Sequence, residues 1–204
     1  MGDEPYEFVI NHSPKDLKKL AAFVHRTFNA IDCIYFIKSL RNIYENHGGL
    51  ERSFDLSIAS LPGKDPSCEK AQQAISNFRT IFFELKYPER TKKHVSDPMS
   101  GSSAKRINMY LRWMIRNDKR GVDFGIWKPI STTAQRGAGL IMPDLCCPLD
   151  VHTGNIARKL GLLKRTQNDW RAVEELTLQL REMDPKDPVK YDFALFGLGA
   201  FENF

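Results

Sequence analysis

The stretch Gly101-Ser102-Ser103-Ala104-Lys105-Arg106-Ile107-Asn108-Met109-Tyr110-Leu111-Arg112-Trp113-Met114-Ile115-Arg116 decides how the chain is read. A glycine and three small residues run into Ile107, Tyr110, Leu111 and Met114, which recur at the spacing of one helix face. Lys105, Asn108, Arg112 and Arg116 form a second stripe, so a helix is expected over about 102–116 with a solvated basic face. Such a helix also opens on unpaired backbone amides, which suit a phosphate.

Outward from this stretch the pattern stays helical. Ser13 and Pro14 read as a cap and first turn, followed by Leu17, Leu20, Ala21, Val24 and Phe28. Ile34, Ile37, Leu40 and Ile43 make a second stripe that stops at Gly48-Gly49, and a short segment from Leu50 to Leu61 ends at Pro62-Gly63. Ala71, Ala74, Ile75, Phe78, Ile81, Phe82 and Leu85 make a longer stripe that Pro88 closes. Residues 117–147 hold no sustained period and contain Gly121, Gly125, Pro129, Gly137, Gly139 and Pro143; a loop of that length is expected to be functional or poorly ordered. Asp150 then caps a helix ending at Gly161. Asn168 opens another through Trp170, Val173, Leu176, Leu180 and Met183, and Asp187-Pro188 starts a last one from Val189 to about Phe204. No alternating segment competes, so the fold class is all-α.

Composition narrows the function. Hydrophobic residues at 42% and charged residues at 27% exclude disordered and fibrous classes. No apolar run approaches the roughly 18 residues of a spanning helix, and Met1-Gly2-Asp3-Glu4-Pro5 is too acidic for a secretory signal. A cytoplasmic location with no membrane partner is therefore expected. Four cysteines are too few for a disulfide scaffold, so Cys33, Cys68, Cys146 and Cys147 are read as reduced, buried thiols. The adjacent pair Cys146-Cys147 is poorly spaced for a metal, and neither metal nor cofactor is expected. The net charge of +5 is unevenly placed. Between Gly101 and Leu140, Lys105, Arg106, Arg112, Arg116, Lys119, Arg120, Lys128 and Arg136 face only Asp118 and Asp123, a local +6 that leaves the remainder at −1. That concentration points to an anionic partner, DNA first.

A second passage stands beside the first: Pro148-Leu149-Asp150-Val151-His152-Thr153, continued by Ile156-Ala157-Arg158-Lys159-Leu160-Gly161-Leu162. Together they resemble the helix-hairpin-helix superfamily of base-excision DNA glycosylases. In that superfamily a Gly-x-Gly-x-Lys-Thr-Ala-Asn-like hairpin supplies a catalytic lysine and a Val-Asp-Thr-His motif a catalytic aspartate. The resemblance implies Lys105 and Asp150 as the catalytic pair. It also implies Gly101, Ser102, Ser103, Arg106, Asn108 and His152 at the DNA, joined by Arg112 and Arg116 of the basic stripe. Ser103 stands where the second glycine would, Ala104-Lys105-Arg106 takes the place of Lys-Thr, and the 45 positions between Lys105 and Asp150 make a long link. No cysteine follows Asp150, so no iron–sulfur cluster comes with the resemblance. Residues Lys105 to Met114 also resemble an uncharacterised bacterial family, DUF2400, whose members begin further upstream; this implies that N-terminal helices are missing here.

The expectation is one all-α domain over 1–204, glycosylase-like, with a helical part over about 1–88 and a hairpin, loop and aspartate part over about 97–204. The implied activity is that of a DNA glycosylase and AP lyase acting on a damaged base, an oxidised purine among them, through a lysine Schiff base. Two other classes stay open: a non-catalytic nucleic-acid-binding module, and a helical protein-interaction domain. Taken alone, Asp150 would be an ordinary helix cap and Lys105 a surface lysine. Their joint presence favours the enzyme, since a phosphate clamp needs neither.

Overall fold

Ser13, Asn29, Asp150 and Asp169 each offer a side-chain acceptor to the free amides of the helix that follows. The computed structural model describes residues 4–56, 68–127 and 139–202. Among them α1 spans Pro5–Asn11, α2 Pro14–Lys18, α3 Ala30–Asn46, α4 Leu50–Ser53, α5 Glu69–Phe82, α6 Lys105–Ile115, α7 Val151–Lys159, α8 Trp170–Met183 and α9 Asp192–Phe201. The chain is mainly helical, as its periodicity requires. It divides into two units, Met1–Phe54 with Asn77–Val95, and Asp55–Ser76 with Ser96–Phe204. No described helix is long and apolar enough to cross a membrane.

In the first unit Asn29 caps α3. Its Oδ1 accepts the Ile31 and Asp32 amides while Asp32 Oδ2 accepts the Asn29 amide at 3.1 Å, a complete capping box. Of its expected stripe Ile37 and Ile43 are buried and Ile34 and Leu40 half-buried, with Cys33 and Tyr35 buried beside them. Tyr35 Oη and Ser39 Oγ both donate to the Phe82 carbonyl, at 2.8 and 2.6 Å, which satisfies an acceptor at the end of α5 that no helical amide reaches.

The helix expected from Ser13 to Phe28 is corrected. Only Pro14–Lys18 is α-helical; Val24–His25 (β1) then pairs antiparallel with Phe28–Asn29 (β2), Val24 opposite Asn29. Arg26 takes the positive φ of 55° that a two-residue turn needs. Phe28 packs edge-on to Phe36 and to His94, 5.0 Å from each. Those ring contacts compete successfully with a helix rich in β-branched and aromatic residues.

In the second unit α7 runs along α9 so closely that a Cβ on Gly199 would sit 3.0 Å from Ile156 Cγ1 and 3.1 Å from the His152 carbonyl. Two cysteine assignments change. Cys68 and Cys146 form a disulfide, Cα to Cα 6.2 Å, whereas Cys33 and Cys147 are free and buried. Spatial proximity across 78 positions is invisible to sequence spacing. Of the long loop, residues 128–138 lie outside the described residues, and with them Lys128 and Arg136; Met142–Asp144 forms a tight helical turn. The segment read to Leu61, with Pro62-Gly63, also falls partly outside.

Candidate active site

The turn before α6 is built from backbone and two short side chains. Asp97 accepts the Met99 amide and the Ser100 hydroxyl, both at 3.0 Å, and the Gly101 amide reaches the Pro98 carbonyl at 3.0 Å. Gly101 has φ 88°, a conformation that favours glycine. Its carbonyl accepts the Trp170 amide at 2.9 Å, which anchors the turn to the start of α8. Ala104 then adopts φ 45°, ψ 36° and caps α6 without any side-chain acceptor. The chain bends sharply there, making Lys105 the first helical residue. Asn108 is buried and donates to the Ser103 carbonyl at 3.0 Å, so it braces the turn from below.

Asp150 caps α7 in the expected way. Its Oδ1 accepts the Thr153 amide at 2.8 Å, and its Oδ2 accepts from Lys105 Nζ, also at 2.8 Å. Forty-five positions of sequence thus close into one contact. The Lys105 side chain is 41% exposed and that of Asp150 12%, so the amine is reachable from solvent while the carboxylate is recessed. Burial pushes the Asp150 carboxyl up, but the Lys105 ammonium and the Thr153 amide outweigh it and hold the group below the ordinary carboxylate range.

Behind this pair lies a buried ion network. Arg112 donates to Asp123 at 3.1 Å and to Asp192; Arg116 donates to Asp123 at 2.6 Å and, through Nε, to both oxygens of Asp187 at 2.9 and 3.0 Å. Asp118 lies 3.7 Å from Arg116. Desolvation disfavours the Arg116 charge, yet Asp187 and Asp123 more than compensate and raise its pKa. Asp192 also faces Cys147 Sγ at 3.9 Å and the Thr153 hydroxyl at 3.5 Å. Burial, reinforced by the neighbouring Asp150 charge, lifts its carboxyl to about 6 against the pull of Arg112. The same burial, with Asp192 alongside, raises the Cys147 thiol well above its ordinary value.

Residues 1–201 match a family described as "Protein of unknown function (DUF2400)". The chain belongs to that family. No curated protein and no solved structure matches it.

In this DUF2400 chain the expected site residues separate into three groups. Lys105 and Asp150 meet, with Gly101, Ser102 and Ser103 in the turn beside them and Arg106 exposed on the first turn of α6. His152 is exposed on α7, its Nδ1 3.1 Å from the Gly199 carbonyl and its ring 5.9 Å from Phe196. Asn108, Arg112 and Arg116 are a correction: their expected solvated, DNA-facing stripe is buried, at 1%, 4% and 9% exposure. The stripe actually buried on α6 is displaced by one position from the apolar one, a rotation of about 100°. The cause is the carboxylates of Asp123, Asp187 and Asp192, which give both guanidinium groups partners inside the unit. Sequence reasoning gave no site role to Asp192, Thr153 or Asp123. One signal was present: arginines at 112 and 116, four apart on one helix, followed closely by Asp118 and Asp123.

Proposed function

We propose that this DUF2400 chain is a DNA base-excision glycosylase with AP-lyase activity, built on a helix-hairpin-helix-like arrangement, with damaged duplex DNA as its partner. The observation that carries the reading is the 2.8 Å contact of Lys105 Nζ with Asp150 Oδ2 at the meeting of two helix starts. A lysine amine is a nucleophile only when neutral, so its proton must leave first, and Asp150 is the group within reach. The amine then attacks C1′ of an extruded nucleotide, the base departing with the electron pair of its glycosidic bond and taking up a proton. Asp150 passes the proton it took from Lys105 to the departing base, and the carboxylate this restores stabilises the cationic sugar that develops. Ring opening gives the Schiff base, and loss of a C2′ proton expels the 3′ phosphate.

The cations available for the duplex follow from burial. Arg106, Lys119 and Arg120 are exposed; Arg112 and Arg116 are held by carboxylates. Borohydride trapping on a panel of lesion-containing duplexes, oxidised purines included, tests the reading. Wild type should form a covalent adduct with at least one, and Lys105→Gln with none. Wild type that traps nothing while binding duplex leaves a non-catalytic nucleic-acid module. Wild type that binds no DNA at low salt leaves a protein-interaction domain. Arg106→Ala should flatten the salt dependence of binding by a slope of about 0.9, and Arg112→Ala should not.

A further inference from the structure

Asp192, the buried first residue of α9, is one residue removed from the reactive pair: the Thr153 hydroxyl lies 3.5 Å from its Oδ1, and the Thr153 amide caps Asp150. Thr153 joins the two carboxylates: its amide donates to Asp150 and its hydroxyl points at Asp192. Arg112 supplies the counter-charge from α6. We propose that Asp192 is a positioning residue for the Lys105–Asp150 pair, holding Thr153 and Arg112 beneath Asp150 and favouring transfer of the lysine proton to it. The role rests on the glycosylase and lyase reading.

The transfer is simple to balance. An N–H bond of the Lys105 ammonium breaks, an O–H bond forms on Asp150 Oδ2, and an ion pair becomes a neutral amine beside a neutral acid. A negative charge nearer to Asp150 than to Lys105 favours the neutral pair, because it disfavours the carboxylate more than it stabilises the ammonium. Asp192 has that placement, since it shares Thr153 with Asp150. Its carboxyl titrates near 6, so it is charged at neutral pH and discharged in mild acid.

The groups facing Asp192 are Lys105 and Arg112 from α6, Cys147 and Asp150 from the segment before α7, and Thr153 from α7. Asp123 reaches it through Arg112. His152 meets α9 at the Gly199 carbonyl, and Lys190, on the helical turn before α9, is paired with Asp184.

The test is the rate of borohydride trapping on an abasic-site duplex between pH 5 and 8, for wild type, Asp192→Asn and Asp192→Glu. Wild type should accelerate about tenfold as pH rises through the Asp192 titration. Asp192→Asn should lose that rise and run slow throughout, and Asp192→Glu should restore it. A uniform loss at every pH with the rise intact would mean a merely structural residue and overturn the proposal. A second readout needs no DNA: the Asp150 carboxyl resonance, assigned by its absence in Asp150→Asn, should titrate at lower pH in Asp192→Asn. An unmoved Asp150 titration overturns the proposal, whatever the enzyme does. A moved titration with no trapping by wild type sinks the glycosylase reading instead. If Asp192→Asn does not fold, Thr153→Val and Thr153→Ser decide. Val should push the acid limb to higher pH by removing the hydroxyl, Ser should leave it in place, and an unmoved limb in Val counts against the proposal.

Discussion

Helix α3 opens on Asn29, whose side chain takes two amides and whose own amide is taken by Asp32, whereas α6 opens on Ala104, left-handed and without a cap. The contrast continues along their lengths. Helix α3 buries Cys33, Tyr35 and Ile37, with Asp32 and Ser39 as its buried polar groups, while α6 buries Asn108 and Arg112 beside Leu111, with Arg116 buried at its end. The first helix is held by local rules that agree with one another. The second lacks a side-chain cap and buries a guanidinium group along its length and another at its end, beside the turn that leads into Lys105. Such concentrated departures are where function is expected, because the rest of the fold must supply the stability they cost.

The largest effect that would test this contrast is at Asp123. It is 2% exposed and bridges both arginines, so Asp123→Ala leaves two buried guanidinium groups short of a partner. Breaking a buried ion pair on one side costs about 3–5 kcal/mol, and Tm should fall by about 10 °C at this chain length. A thermal melt followed by circular dichroism reads it. A fall of only about 1 °C would make the network a surface feature, and α6 an ordinary helix. On the α3 side, Asn29→Ala removes the acceptor of two amides and should cost about 1 kcal/mol in urea unfolding. A cost similar to that of Asp123→Ala would erase the distinction between the two regions.

These same residues mark how far sequence reached. The stripes of α3 and α5 and the Asp150 cap of α7 were readable because each depends on neighbours three or four positions away. The ladder at Val24–Asn29 was not, because it hangs on one left-handed residue, Arg26, and on rings brought in by folding. The buried face of α6 was missed for a related reason. A pattern of apolar and polar residues assigns arginine to solvent, and only carboxylates up to 80 positions away reverse that assignment. Lys105 and Asp150 were legible as a resemblance; that they touch, and that Asp192 lies one residue removed from them, required the fold.

The pH dependence of stability separates the site from the α3 region more finely. Asp192 holds its proton more tightly folded, near pH 6, than an unfolded aspartate does, near pH 3.9. Its contribution is therefore greatest in acid and declines as pH rises from about 4 to about 6. Lowering the pH from 7 to 5 should gain about 1 kcal/mol from this group and raise Tm by about 2–4 °C. Asp150 runs the other way: its pKa is lowered, so its contribution persists above the ordinary carboxylate range and is lost only below it, outside this window. Asp192→Asn should lack the acid gain, and Asn29→Ala should retain it. A wild-type Tm that falls steadily from pH 7 to 5 would show that Asp192 is already discharged or never buried as described.

The smallest effect belongs to the residue with the largest chemical role. Lys105 is 41% exposed, and an ion pair with that much solvent contributes about 0–1 kcal/mol. Lys105→Gln keeps the length of the side chain and leaves the Thr153 amide on Asp150, so the α7 cap survives. Its Tm should stay within about 2 °C of wild type. The comparison to make is with Asp123→Ala, in the same helix neighbourhood, under identical melting conditions. A small loss for Lys105→Gln beside a large one for Asp123→Ala means that the buried arginines carry the architecture and Lys105 is spare for chemistry. Equal losses would make Lys105 part of the scaffold, and its contact with Asp150 one more structural ion pair.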